Sequence, residues 1–130
     1  FYRIKPGREN RAMAGLSMGG FQTLVIGLNH LELFSYYGLF SAAIIGDIMA
    51  DPKTAFKGAF ADAASFNSKV KVLWFGAGSG EKQFITMMND SRKKLDELGI
   101  RSTGFESQET YHEWHTWRRC LYTFAPLLFQ

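Results

Sequence analysis

Short apolar runs suited to strands alternate along this chain with longer stretches of helical character, and that alternation restricts the architecture more than any other feature. Val70 to Phe75 (Val-Lys-Val-Leu-Trp-Phe) is the clearest strand, bounded by Lys69 and Gly76. From Gln83 to Leu98 the residues Phe84, Met87, Met88, Leu95 and Leu98 recur near the helical period, and Gly99 supplies a stop. Arg11 to Leu16 reads as a strand running into a tight turn and Gly19 to Asn29 as the helix behind it. Tyr36 to Ala42 reads as an aromatic-rich strand and Arg101 to Glu106 as a fourth. Asp47 to Phe66 is divided between short helices and loops, with Pro52 opening one of them. Trp114 to Phe129 closes the chain as a helix that Pro126 breaks or kinks in its last turn. Strands alternating with helices pack as a mostly parallel sheet flanked by helices and joined by right-handed crossovers. The expected class is therefore α/β.

Open parallel sheets bind ligands outside the carboxyl ends of their strands. Functional side chains are accordingly sought just after each strand. Composition removes several alternatives. The 130 residues suffice for one domain, and 46% hydrophobic with 21% charged residues fits a packed globular chain rather than a disordered one. No apolar run approaches the roughly 20 residues that cross a bilayer, so a membrane-spanning role is not expected. The net charge of +3 comes from scattered cations that form no stripe, which argues against nucleic acid as a partner. Cys120 is the single cysteine, so there is no internal disulfide and no cysteine-based metal site. On an amphipathic helix it reads as a buried structural thiol. The chain opens on Phe1 rather than Met, as a piece of a longer protein would.

The most chemically loaded segment is Gly15-Leu16-Ser17-Met18-Gly19, a G-x-S-x-G pattern between a strand-like run and a helix. In that setting the serine sits on a strained strand-to-helix turn that lifts its hydroxyl from the top of the sheet. The flanking glycines leave room where the two backbones crowd together. The Met18 amide, at the start of the helix, is placed to stabilise an oxyanion. A serine nucleophile requires a base, and the chain has three histidines. His30 follows the elbow helix and suits a C-terminal capping role. His112 and His115 both fall after the last strand, where the base belongs in the chain order serine, acid, histidine. Spacing leaves the two open. Glu81 is the first acidic residue after Val70 to Phe75, at the end of the Gly-rich run Gly76 to Gly80. By spacing it is either the acid of a triad or a helix N-terminal carboxylate favoured by the dipole. Asp90 lies too deep in the following helix.

Two segments narrow these alternatives. Glu9 to Gly20, with its Arg-Ala-Met-Ala-Gly-Leu-Ser-Met-Gly-Gly core, and His112 to Arg119 together with Phe124 to Phe129, resemble the "Putative esterase" family. That family takes in esterase D, feruloyl esterases and acetyl xylan esterases, often joined to xylanases. The resemblance covers nearly the whole chain. It implies an α/β-hydrolase fold in which residues 1–130 form the C-terminal part of one domain, apparently without its N-terminal strands. The loop carrying the second oxyanion amide would lie in that N-terminal half, supplied by a longer chain or a second chain.

In the feruloyl-esterase branch the base is the histidine of an H-x-W-x-x-W-R pattern, which here falls on His112 with Trp114, Trp117 and Arg118. The resemblance thus implies a Ser17–His112–Glu81 triad, with the Met18 amide on the oxyanion and no metal or organic cofactor. It implies an ester substrate, feruloyl or acetyl groups on xylan, and favours a secreted or periplasmic setting. Trp114 and Tyr111 are candidate substrate-binding residues, while Trp117 is expected to pack the last helix. Where the family usually carries a small residue close before the histidine, this chain has Gln108-Glu109-Thr110-Tyr111, which would reshape the pocket mouth. The competing readings are an S-formylglutathione hydrolase or a peptidase on the same scaffold, or a non-catalytic carbohydrate-binding relic. A relic is expected to lose at least one triad residue, and all three candidates are present.

Overall fold

A computed structural model describes residues 2–43 and 50–130. Four strands, β1 (Ala12–Leu16), β2 (Tyr36–Phe40), β3 (Val72–Gly78) and β4 (Thr103–Ser107), form one sheet in the order β1-β2-β3-β4. Every neighbouring pair is parallel, with Gly15 opposite Leu39, Leu39 opposite Phe75 and Phe75 opposite Gly104. The helices are α1 (Met18–Asn29), the single turn α2 (Ala55–Gly58), α3 (Ala63–Lys69), α4 (Lys82–Glu97) and α5 (Trp114–Phe124). Short 3₁₀ turns at Arg8–Asn10 and Ala125–Leu127 complete the described elements.

Strand order and crossover handedness together decide which face each helix covers. Successive strands are added in one direction, so right-handed connections put α1, α3 and α4 on the same face. The side chains agree. Tyr37, Leu39, Leu73 and Phe75 on one face of the sheet pack with Leu24 and Leu28 of α1, Phe66 of α3, and Met88 and Leu95 of α4. Tyr36, Phe40 and Trp74, on the opposite face, pack with Cys120 and Phe124 of α5. The central strands β2 and β3 are thus buried on both sides, as continuous apolar runs in parallel sheets are, while the outer β1 and β4 are only partly covered. Among the described residues β1 pairs only with β2, which leaves its other edge without a partner strand.

The elements expected from the sequence are found, with shifted bounds. β3 continues to Gly78, so Gly76, Ala77 and Gly78 are buried strand residues rather than a flexible loop. They are paired with Phe105, Glu106 and Ser107, and small residues are what the crowding against Trp74 and Cys120 permits. β2 ends at Phe40, which puts Ser41 outside the strand at its carboxyl end. In the ambiguous stretch from Asp47 to Phe66, positions 47–49 lie outside the described residues. The remainder contains α2 and the start of α3, and Pro52 precedes the Thr54 N-cap rather than opening the helix itself. Pro126 does end α5, whose last turn passes into 3₁₀ geometry.

At the β1–α1 junction the glycines are not equivalent. A Cβ on Gly15 would collide with the Gly19 carbonyl and the Gly20 amide, all of them backbone atoms that cannot swing away. A Cβ on Gly20 would strike Ala42. A Cβ on Gly19 would meet open space, so the second glycine of the pattern is not required sterically and Gly20 takes over that role. Gly15→Ala is therefore expected to destabilise the protein by about 1–3 kcal/mol or more through overpacking. Gly19→Ala should stay within about 1 kcal/mol of the parent, or exceed it through helix propensity. Chemical denaturation of the two variants checks this, and equal losses would contradict it. Burial, with a smaller contribution from the negative charge of Glu81, pushes the Cys120 thiol up to about 12. Native protein should resist iodoacetamide at mildly alkaline pH and react once unfolded, which mass spectrometry would read.

Candidate active site

Three strand ends converge on one place. Ser17 directly follows β1 and is the N-cap of α1, with φ 51° and ψ −122°. A non-glycine residue at that angle is strained, and the junction pins it. Its N–H donates to the Phe40 carbonyl at 2.8 Å, and its carbonyl accepts from the Phe21 N–H at 3.2 Å. The amide that follows, Met18, opens α1 and so belongs to the first helical N–H groups, which have no carbonyl partner within the helix. The Met18 side chain is exposed.

Glu81 is the N-cap of α4, reached from β3 through the turn at Ser79 and Gly80, but its side chain makes no capping bond. It turns back toward the sheet instead. Oε2 accepts the Gly78 N–H at 2.6 Å and the Ser41 hydroxyl at 2.8 Å, while Oε1 lies 2.6 Å from His112 Nδ1. The Glu81 side chain is 2% exposed and that of His112 is 40% exposed. An ionised carboxylate can only accept, so the proton of this contact sits on Nδ1, and Nε2 presents a lone pair. Nε2 lies 2.9 Å from Ser17 Oγ. The arrangement leaves the serine hydroxyl free to donate toward a basic nitrogen.

The loop that delivers His112 is stitched to the loop that delivers Glu81. Ser79 N–H donates to the Ser107 carbonyl at 2.8 Å, Gly80 N–H to the Thr110 carbonyl at 2.9 Å, and Glu109 N–H to Ser79 Oγ at 2.8 Å. The Thr110 hydroxyl bonds Ser107 Oγ at 2.8 Å and the Thr116 hydroxyl at 2.8 Å, and Thr116 also reaches the Tyr111 carbonyl. All three hydroxyl residues are buried. Aromatic rings hold the imidazole from two sides. Phe84 of α4 stacks on it at 5.2 Å between centroids and 16° between planes, and Trp117 of α5 meets it edge-on at 5.0 Å and 88°.

His115 sits exposed on α5, one residue into the helix, and it is His112 that bonds Ser17. His30 caps α1 and pairs with Glu32 at 3.0 Å. Tyr111 and Trp114 are both exposed: the Tyr111 ring lies against Gly80, and Trp114 packs edge-on to Trp117. Neither lines the pocket beside Ser17. That pocket, of about 290 Å³, is bordered by Ser17, Met18, Phe21, Ser41, Ala42, Ala43, Phe84 and Met87 and is mostly apolar. The sequence does not single out Phe84, which reads only as a helical core position, or Ser41, which falls inside an expected strand that runs past the Phe40 end of β2 to Ala42. Applying the strand-end rule to the true end of β2 would have found Ser41. Trp117 does pack as expected, but its indole N–H also donates to Ser41 Oγ at 2.9 Å.

The family model described as "Putative esterase" matches residues 2–127. An endo-1,4-beta-xylanase/feruloyl esterase of Xylanibacter ruminicola is 36% identical over 130 residues, covering 99% of this chain and 16% of its own length. A ferulic acid esterase from Anaeromyces mucronatus, solved in complex with ferulic acid, superposes with a TM-score of 0.75 at 22% identity, over 98% of this chain and 48% of that one. An S-formylglutathione hydrolase from Staphylococcus aureus gives a TM-score of 0.69 at 18% identity, over 97% of this chain and 54% of that one. At these identities the structural likeness establishes a shared fold, of the α/β-hydrolase type. The chain spans about half the length of these solved structures and a smaller part of the xylanase/feruloyl esterase. With the family model running over nearly its whole length, the chain belongs to the "Putative esterase" family.

Proposed function

We propose that this chain carries the catalytic residues of a serine carboxylic-ester hydrolase that releases feruloyl or acetyl groups from xylan through an acyl-enzyme. The observation that carries the reading is the hydrogen-bonded series Ser17 Oγ, His112 and Glu81, at 2.9 and 2.6 Å, beside an apolar pocket. His112 Nε2 takes the Ser17 proton as Oγ attacks the ester carbonyl, and the Met18 amide donates to the resulting oxyanion. Glu81 keeps the imidazole in the required tautomer and stabilises its cation. The imidazolium returns the proton to the leaving alcohol, which departs. Water, deprotonated by the same nitrogen, then attacks the acyl-enzyme and releases the acid and the free serine.

The apolar lining by Met18, Phe21, Phe84 and Met87 favours an aromatic acyl group over acetyl. Each buried methylene is worth about 0.8 kcal/mol of binding, so a phenylpropenoyl group gains far more there than a methyl does. The ferulic acid esterase and xylanase/feruloyl esterase relatives support the same choice of ester. Under this reading residues 1–130 are the C-terminal part of one α/β-hydrolase domain. The edge of β1 that has no partner strand among the described residues, and the half-length coverage of the solved neighbours, support it. Further strands, and a second oxyanion amide, would be added on that edge.

Assaying methyl ferulate, acetylated xylan and a thioester in parallel on the intact protein separates the candidate substrates. The expected order of kcat/KM is methyl ferulate first. Preference for the thioester would favour the S-formylglutathione hydrolase reading. Ser17→Ala and His112→Ala should each lower kcat by a factor on the order of 10⁶, and Glu81→Ala by about 10⁴. His115→Ala should change kcat less than about threefold, since it is His112 that is hydrogen-bonded to Ser17 and His115 is an exposed residue of α5. Turnover in His112→Ala equal to the parent would remove the triad.

A further inference from the structure

Glu81 has a second buried partner besides the histidine, and its geometry fixes how that partner works. Ser41 is 0% exposed and follows β2 directly, its N–H donating to the Gly76 carbonyl at 2.7 Å. Its Oγ lies 2.9 Å from Trp117 Nε1 and 2.8 Å from Glu81 Oε2. An indole nitrogen can only donate, and it occupies a lone pair of the hydroxyl. The single Ser41 proton is therefore directed at Oε2. The series runs one way, from indole N–H to hydroxyl to carboxylate, and each bond polarises the next.

Two further observations give the hydroxyl a task beyond satisfying Trp117. Ser41 holds φ at 49°, a region where glycine is favoured and a side chain costs stability. A serine at such an angle, fully buried, offers nothing to local backbone stability that glycine would not. The carboxylate it touches is also fully committed. With Oε2 fixed by the Gly78 N–H and the Ser41 hydroxyl, Oε1 is left facing His112 Nδ1 at 2.6 Å. Removing one of the two restraints on Oε2 lets the carboxyl group turn about its last torsion, and the in-line contact with Nδ1 is what that turn spoils. Trp117 braces the same histidine edge-on, so one indole supports the imidazole directly and the acid through Ser41.

We infer that Ser41 is a positioning residue that acts through Glu81 to hold the His112 tautomer and ring, with Trp117 as the donor that orients its hydroxyl. The inference rests on the esterase reading above and deepens it. It is tested with Ser41→Gly and Ser41→Ala in the intact protein, each alone and combined with Glu81→Ala. The expected result is a loss of about 10–10²-fold in kcat, the scale of one hydrogen bond to a charged group, with KM changed less than about twofold. Ser41→Gly should lower Tm less than Ser41→Ala, because glycine relieves the strained φ that alanine keeps while both lose the same hydroxyl, so the two variants should match in activity loss and differ in stability. In the Glu81→Ala background either change at Ser41 should cost nothing further. Full parental kcat in Ser41→Gly, or an equal loss with and without Glu81, would overturn the inference. Trp117→Phe, which keeps a ring against His112 and loses the donor, should cost only a few-fold in kcat. A second readout does not depend on turnover: the downfield proton resonance of His112 Nδ1–H should broaden or move upfield in Ser41→Gly. An unchanged resonance counts against the role of Ser41. A parent protein that hydrolyses none of the esters, yet shows this resonance responding to Ser41, would sink the esterase reading and leave the positioning role standing.

Discussion

A carboxylate whose side chain is 2% exposed must be met by donors, or its burial would cost several kcal/mol. Glu81 is met by three, and they come from three different strand ends: Gly78 at the end of β3, Ser41 after β2 and His112 after β4. The buried acid thereby ties together the segments that must register for the site to exist. Ser17 joins through His112 from the end of β1, so all four strands contribute at the same edge of the sheet. A parallel sheet makes this possible because it brings every carboxyl end to one side.

The rest of the molecule can be read as support for that edge. The face covered by α1, α3 and α4 is a large apolar cluster centred on Leu39, Leu73 and Phe75, which fixes the β2 and β3 ends. The opposite face is smaller, built from Tyr36, Phe40, Trp74 and Phe124, and it seats α5. Seating α5 carries Trp117 to the histidine and Thr116 to the loop that precedes it. The same helix therefore serves packing and positioning at once. Cys120, one turn on, is simply buried in this layer behind the acid.

Much of the site was legible because it is local. Gly15-Leu16-Ser17-Met18-Gly19 encodes a turn whose geometry follows from its own residues, although the structure shifts the second steric requirement from Gly19 to Gly20. Glu81 was half legible, since position after a strand allows both a helix cap and a buried partner, and its missing capping bond together with its bonds to Gly78, Ser41 and His112 separates the two. His112 and His115 were indistinguishable by spacing, because three residues is within the slack of any loop. Ser41, Phe84 and the N–H of Trp117 were not legible, for they act on groups far away in the chain, 40 residues from Ser41 to Glu81 and 76 from Trp117 to Ser41, contacts that no local pattern records.

What the sequence determined by itself was the alternation that makes a parallel sheet, the turn that carries Ser17, and the placement of the candidate residues after strands. These follow from backbone sterics and hydrophobic period, which act over a few residues. What only the tertiary structure decided was which histidine faces the serine, which carboxylate it leans on, and which buried hydroxyl holds that carboxylate. These depend on the pairing of β2, β3 and β4 and on the seating of α5. Long-range register and packing set them, and a difference of one residue in a strand end is enough to change them.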